Sequence, residues 1–267
     1  DSEGTAVITN STFSGNTSEL GGGGSSVYAY GNVTITNTVF MDNVSDRGAI
    51  YNNGMMTITD SIFLGNSAMA GGGGGIYNTN NEFLLTIKNS TFSENNAING
   101  TGGGLSNMDG NVLITNSTFS GNTAAAGGGI FNADTATLTV ANSTFSGNSV
   151  SGNGGGIYAF GILHLQNSIL ANSIGDEDCY NVSGNTIATN INNLIETNGV
   201  SEHMCGTPSI TVDPNLGTLT GSPAYFPLNN SSPAIDAGDD AVCDASPVSN
   251  TSQNGVTRPQ GDHCDIG

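Results

Sequence analysis

Positive charge is almost absent from this chain. Only 3 of its 267 residues are lysine or arginine, against 22 aspartates and glutamates, so the formal net charge is −19. Binding to nucleic acid or to an anionic membrane surface depends on cations that displace counterions. The composition therefore excludes both as partners. Because only 9% of the residues are charged and 36% are hydrophobic, we expect a folded protein and not a disordered acidic tail.

Long apolar runs and tryptophan are also missing. No run approaches the roughly 20 apolar residues of a membrane-spanning helix, so no such segment is predicted. The 40 glycines and the absence of tryptophan favour closely stacked backbone over a bulky globular core. The chain opens at Asp1 without a basic and apolar leader. We therefore expect a processed protein that is extracellular or on a cell surface, bacterial or similarly secreted.

Cysteine and proline are missing from the first two-thirds of the chain. All four cysteines and all seven prolines follow residue 175. An even cysteine count without zinc-type spacing favours two disulfides. Of the three possible connectivities we expect the sequential pairs Cys179–Cys205 and Cys243–Cys264. We predict two regions: residues 1–175 form a repeat domain, and residues 176–267 form a last partial coil and a disulfide-stapled cap.

The repeat domain consists of tandem copies of one motif. Its first copy reads ITNSTFSGN over residues 8–16, and a glycine-rich signature such as GGGGGIYN at 71–78 recurs between the copies. The polar residue that marks each copy recurs every 23 to 29 positions, at Asn10, Asn37, Asp60, Asn89, Asn116, Asn142 and Asn167. An aromatic residue follows three positions later, at Phe13, Phe40, Phe63, Phe92, Phe119 and Phe145. Such a period indicates a solenoid.

The phase of the apolar residues shows where each coil turns. Alternation before the marker residue, as at Val33 and Ile35, predicts a strand with one buried face. The aromatic residue comes one position later than this alternation would place it, which predicts a corner at the asparagine. A third strand is expected after the glycines. Three short strands per coil predict an all-β, right-handed parallel β-helix, a three-sided β-solenoid.

Stacking of equivalent residues in successive coils accounts for the repeated positions. We expect phenylalanine to lie on phenylalanine, and the corner asparagines to form a ladder of amide hydrogen bonds. A disordered low-complexity segment is the alternative for such a composition. Disorder does not impose phased isoleucine, asparagine and phenylalanine positions, so we prefer the solenoid.

Enzymes must be considered, because parallel β-helices include polysaccharide lyases and hydrolases. A lyase needs a basic proton abstractor, and only Arg47, Lys88 and Arg258 are present. We expect Lys88 to be a solubilising surface residue and the arginines to pair with carboxylates. No histidine adjoins a candidate nucleophile in a known motif. We therefore predict a protein that is not an enzyme.

Acidic groups and glycosylation motifs give further candidates. The acids at 176–178 and at Asp236, Asp239 and Asp240 could bind calcium, although no calcium-loop spacing is present. Calcium is thus a possible ligand, and no cofactor is predicted. Among the glycosylation motifs, those at Asn32, Asn99 and Asn250 are expected in loops and are the better acceptors. Those at Asn10, Asn89, Asn116 and Asn142 are expected to be inaccessible in the ladder. Chance matching is the alternative in so asparagine-rich a chain.

Two sets of motifs resemble known families. The coil motif NSTFSGN with GGGIxN resembles the bacterial surface β-helix repeats of polymorphic outer-membrane proteins. The C-terminal third resembles a choice-of-anchor Q domain, through NLI at 193–195, DPNLG at 213–217, SPAIDAG at 232–238 and CDIG at 264–267. The resemblance implies export, a surface-associated or released protein, and no catalytic residues to carry over.

The function expected from the sequence is structural. We expect a non-catalytic extracellular surface protein that acts in adhesion or self-associates. The first copy begins at once, at residues 6–13, with no capping element before it. An uncapped coil would dock head-to-tail on another copy and form fibres. Surface glycans are the other expected partners. The alternatives are a monomeric spacer, a polysaccharide lyase or hydrolase of the pectate-lyase-like class, and a carbohydrate-binding adhesin.

Overall fold

A computed structural model describes residues 4–18, 24–79, 82–182 and 187–267. The described residues up to Ile195 form a parallel β-solenoid. Four parallel sheets run along it, which we name A to D in the order in which the chain visits them. Sheet A contains Thr5–Thr9, Asn32–Thr36, Met56–Thr59, Leu84–Lys88, Asn111–Thr115, Thr137–Ala141, Ile162–Gln166 and Ile187–Ile191. Sheet B contains Thr12–Ser14, Val39–Met41, Ile62–Leu64, Thr91–Ser93, Thr118–Ser120, Thr144–Ser146, Ile169–Ala171 and Leu194–Ile195.

The other two sheets complete each coil. Sheet C contains Val44–Ser45, Ser67–Ala68, Asn96–Thr101, Thr123–Ala126 and Ser149–Val150. Sheet D contains Val27–Ala29, Ile50–Asn52, Ile76–Asn78, Leu105–Asn107, Ile130–Asn132, Ile157–Ala159 and Cys179–Asn181. The predicted parallel β-helix is confirmed.

Sheet C is the strand position that the sequence pattern did not predict. Its strands are mostly two residues long, and each turns one side chain inward, such as Ser45, Ala68, Ala97 or Ala124. Apart from Val150, the inward residues of these strands are small, and strands this short leave no apolar alternation to detect. A coil therefore has four strand positions where three were expected.

Equivalent residues stack in register to form the core. Ile35 pairs with Ile58, which in the next coil faces Ile87, and all three are fully buried. In sheet B the phenylalanine rings form a continuous column, with centroids 4.4 to 5.0 Å apart and planes within 10° of parallel. The spacing is close to the distance between neighbouring strands, so each ring covers the one before it.

The corner between sheets A and B is a left-handed backbone position. The marker residues have φ of 43° to 50°, for example 49° at Asn10 and 43° at Asn167. Asparagine and aspartate tolerate this region better than other side chains that carry a Cβ. The predicted corner at the marker residue is therefore confirmed.

The glycine-rich signature follows from close approach to the phenylalanine column. A Cβ atom on Gly104 would lie 2.8 Å from Cδ1 of Phe119 and 2.9 Å from the carbonyl oxygen of Gly129. Any side chain at this position would collide with both the ring and the next coil.

The C-terminal region beyond Ile195 has little regular structure. It contains a 3₁₀ helix at Ser201–His203, a hairpin of Thr220–Gly221 and Ala224–Tyr225, and one short α-helix at Asp240–Asp244. Disulfides join Cys179 to Cys205 and Cys243 to Cys264, which are the sequential pairs. In the part of the chain that the structure describes, no helix is long and apolar enough to span a membrane.

Candidate functional site

Two asparagine ladders, buried except at Asn16, run along successive coils. The first lies one residue before the sheet C strands and at the equivalent position of the first coil. It contains Asn16, Asn43, Asn66, Asn95, Asn122 and Asn148, whose amides are joined at 2.8 to 2.9 Å. The second ends the sheet D strands and joins Asn52, Asn78, Asn107 and Asn132 at 2.7 to 2.9 Å. Most of these amides also bond backbone groups at the corners, as Asn66 does the Phe40 carbonyl and Asn107 that of Gly110, each at 2.9 Å.

The ladder predicted at the A–B corner is discontinuous. Asn37 Nδ2 donates to Asn10 Oδ1 at 2.7 Å, and Asn89 Nδ2 donates to Asp60 Oδ1 at 3.1 Å. The two continuous ladders lie elsewhere, at positions where no ladder was predicted. Their signal was present, because the repeated motif ends at Asn16 and the glycine signature ends at Asn78.

From Asn116 onward the corner column binds the C-terminal region. Asn116 Nδ2 donates to the Thr251 carbonyl at 2.6 Å, and Asn192 Nδ2 donates to that of Ala237 at 3.3 Å. Asn167 forms two bonds with the backbone of Asp239, at 2.8 and 2.9 Å. The column therefore fixes the C-terminal region along the side of the coils.

A cavity of about 460 Å³ lies between sheet B and this C-terminal region. Thr118 and Thr144 belong to its sheet B wall, and Tyr225, Phe226 and Val256 belong to the opposite wall. Concave sites with apolar walls and a few fixed polar groups are where small molecules usually bind. This cavity is the candidate functional site.

The polar groups of the cavity are held in place by contacts within the protein. Gln253 Nε2 donates to the Ala224 carbonyl at 2.8 Å, and its Oε1 accepts from Thr118 Oγ1 at 2.7 Å. The Arg258 guanidinium donates to the Gly267 carbonyl. Burial lowers the pKa of Arg258 below its usual value, an effect that the Asp265 carboxylate opposes. Arginine keeps its charge in proteins, so Arg258 supplies a fixed cation.

The expected roles of two of the three basic residues, Lys88 and Arg47, were wrong. Lys88 Nζ donates to the Pro247 carbonyl at 2.8 Å beneath the C-terminal region. The Arg47 guanidinium lies over the rings of Tyr51 and Tyr77, at 5.3 and 5.0 Å from their centroids. Cation–π contact with an outward aromatic row thus replaces the expected carboxylate partner.

That aromatic row lies on the outer face of sheet D. Tyr28 stacks on Tyr51 at 4.6 Å, and its hydroxyl hydrogen-bonds to that of Tyr30 at 2.6 Å. This bond, more than burial, raises the pKa of the Tyr28 phenol to about 12. Farther along, Tyr158 stacks on Tyr180, which stacks on His203. The rings cover one another's faces, so the row behaves as a stabilising stack.

The acidic residues considered for calcium have protein partners. Asp178 is buried, and its carboxylate accepts from the backbone N–H groups of Ser173 and Thr197 at 2.9 and 2.8 Å. Burial is the main cause that raises the pKa of Glu177. Asp239 caps the helix Asp240–Asp244. Among the described residues, no group of three or more His, Cys, Asp or Glu side chains could hold a metal ion.

The glycosylation motifs differ in exposure. Asn32 and Asn99 are exposed, whereas Asn250 is half-buried and its amide donates to Asp244 Oδ1 at 2.8 Å. Asn116 and Asn142 are buried, as expected of ladder positions, but Asn10 is exposed, so its predicted inaccessibility is wrong. Glycan attachment at Asn32, Asn99 and Asn250 stays a prediction.

An exposed ion pair at the edge of the C-terminal region gives a prediction for pH. His263 Nδ1 lies 2.9 Å from Asp240 Oδ2. This hydrogen bond raises the pKa of His263 above 6.5 and lowers that of Asp240 below 3.8. The histidine contribution to stability is lost as pH rises through its raised pKa, and the aspartate contribution is lost as pH falls through its lowered pKa. The pair therefore stabilises the folded protein most between pH 3.8 and pH 6.5, the ordinary pKa values of the two groups.

An NMR titration of the imidazole signals measures this effect. We expect the pKa of His263 to lie above 6.5 and to fall in Asp240→Asn. The signals of His164, which contacts Thr189 and not this pair, serve as the control and should not change on substitution. An identical His263 titration in both proteins would show that the carboxylate has no such effect.

The coils, their internal ladders and their stacked rings define a parallel β-solenoid. The chain belongs to the right-handed β-helix family, since the family model described as a right handed beta helix region matches residues 1–145. Residues 142–159 match the Chlamydia polymorphic membrane protein repeat, which indicates a surface or outer-membrane type of protein. The β-helix fold also occurs in enzymes. No curated protein and no solved structure matches the chain.

Proposed function

We propose that this chain is a non-catalytic surface protein that acts in adhesion, with the solenoid as a rigid support for a binding surface. The match of residues 142–159 to the polymorphic membrane protein repeat carries the proposal. The resemblance of residues 193–267 to a choice-of-anchor Q domain supports export to the surface in the same way. End-to-end association of copies, expected from the sequence, belongs to this proposal.

The contacts of the basic residues support a role other than that of a polysaccharide lyase. A lyase requires a basic group that is available to abstract a proton. Lys88 is engaged with the Pro247 carbonyl, Arg47 with two tyrosine rings and Arg258 with the Gly267 carbonyl. These contacts favour binding over the lyase alternative.

Adhesion is tested with fluorescent beads that carry the purified chain. We expect these beads to be retained under flow on glycan-coated and cell-covered surfaces. Control beads carry an unrelated acidic protein of similar net charge, because charge alone must not account for retention. Equal retention of both bead types would contradict adhesion. Sedimentation equilibrium of the same preparation tests end-to-end association, which predicts a mass that rises with concentration.

A further inference from the structure

The cavity under the C-terminal region has the size and rigidity of a binding site. Its volume of about 460 Å³ falls within the roughly 300–1,000 Å³ typical of small-molecule sites. The hairpin wall is fixed to sheet B because Thr91 Oγ1 donates to the Ala224 carbonyl at 2.7 Å and Gln253 bridges both sides. A preformed site binds without the cost of ordering its walls.

One side of the cavity is apolar and partly open to solvent. Tyr225 and Phe226 are half-buried there, and Ile235 and Val256 are 37% and 41% exposed. A ligand that covers these side chains gains from burying them. Its own facing surface must therefore be apolar.

The charged groups of the cavity are two carboxylates and one guanidinium. Asp236 and Asp265 can each accept further hydrogen bonds, and Arg258 supplies donors. Asn142 also lines the cavity, and its buried Oδ1 has no hydrogen-bond partner. The ligand must thus both donate and accept hydrogen bonds.

Charge selects against an anionic ligand. Two carboxylates and one guanidinium leave the cavity with an excess of negative charge, in a chain whose net charge is −19. The long-range field of the protein and the local balance both repel anions. A neutral ligand avoids this cost.

We infer that the cavity binds a neutral sugar ring, which has an apolar C–H face for the aromatic wall and hydroxyl groups for Asp236, Asp265 and Arg258. The inference rests on the proposed adhesive function and gives it a ligand class. The ring would lie against Tyr225 and Phe226, with its hydroxyl edge toward the carboxylates. Acidic sugars have the same ring but carry a negative charge, so comparing them with neutral sugars tests whether charge selects the ligand.

Saturation-transfer NMR with the full chain tests this site. The probes are the methyl glycosides of glucose, galactose, mannose and N-acetylglucosamine, with glucuronate and N-acetylneuraminate as anionic counterparts. We expect at least one neutral glycoside to bind, with a Kd on the order of 1 mM. We expect both anionic sugars to bind at least tenfold more weakly. Failure of every neutral glycoside, or equal binding of the anionic sugars, would overturn the assignment.

Two pairs of variants locate the site. Tyr225→Ala should weaken binding at least tenfold, whereas Tyr77→Ala, which removes a tyrosine of the sheet D row, should leave it unchanged. Asp236→Asn should also weaken binding, because the amide replaces one acceptor oxygen with a donor. Asparagine keeps the shape of aspartate and tolerates the φ of 53° at this position, so the fold should be retained. Asp262→Asn makes the same charge change outside the cavity lining and serves as its control. Equal effects within either pair would place the sugar elsewhere.

The two proposals fail in distinguishable ways. If coated beads adhere but no neutral glycoside binds, the sugar site is wrong and adhesion has another cause. If a neutral glycoside binds at Tyr225 and Asp236 but the beads are not retained, the site is supported and adhesion is contradicted.

Discussion

Replacing Phe92 with alanine should lower the free energy of unfolding by about 3–5 kcal/mol. Its ring is fully buried between those of Phe63 and Phe119, at centroid distances of 4.4 and 4.7 Å. Removal leaves a cavity in the middle of the column, and the flanking coils cannot collapse into it because their hydrogen-bonded register fixes their spacing. Chemical denaturation followed by circular dichroism measures the loss.

Phe160→Ala is the matched control for this substitution. Phe160 is 38% exposed at the end of a sheet D strand, outside the column. We expect it to cost no more than about 1 kcal/mol. Similar losses for the two variants would mean that the ring column is not the main source of stability in these coils.

Replacing Asn95 with leucine should lower the free energy of unfolding by about 3 kcal/mol, although the two side chains have the same number of heavy atoms and the same branching. Asn95 Oδ1 accepts from the backbone N–H and the amide of Asn66, at 3.1 and 2.9 Å. Its Nδ2 donates to Phe63 and Asn122, each at 2.9 Å. Leucine forms none of these bonds and leaves buried polar groups unpaired on both neighbouring coils. The midpoint of urea unfolding measures the effect.

Asn37→Gly provides the comparison at the exposed corner column. Asn37 is exposed, and glycine adopts its φ of 48° without strain. We expect a loss of no more than about 1 kcal/mol, because the hydrogen bond to Asn10 lies in water. A larger loss for Asn37→Gly than for Asn95→Leu would show that the corner column, as the sequence first suggested, holds the coils together.

Most of the fold could be predicted from the sequence, because stacked coils require the same residue type at the same position of every coil. The phenylalanine positions and the corner at the asparagine could be predicted, because both residues recur at a fixed spacing in every copy of the repeat. The fourth strand was not predicted because most of its inward residues, such as Ala68, are too small to mark a buried face. The continuous ladders were missed because inward asparagines such as Asn66 resemble ordinary turn residues until their burial is known.

The candidate site could not be predicted from the sequence. Thr118 and Gln253 are 135 residues apart and meet only because the C-terminal region lies along the coils. That docking depends on individual hydrogen bonds, such as the one from Asn116 to the Thr251 carbonyl. These bonds do not recur from coil to coil, so no repeated pattern in the sequence predicts them. The cysteine pairs were predictable in part, because few cysteines leave few connectivities.

Incubation of the full chain with neutral and acidic polysaccharides, with and without calcium, separates binding from cleavage most directly. We expect the chain to be retained on a neutral polysaccharide, with no new reducing ends and no unsaturated products. Release of oligosaccharides that is abolished by replacing an outward carboxylate would contradict a binding function and identify a carbohydrate-active enzyme.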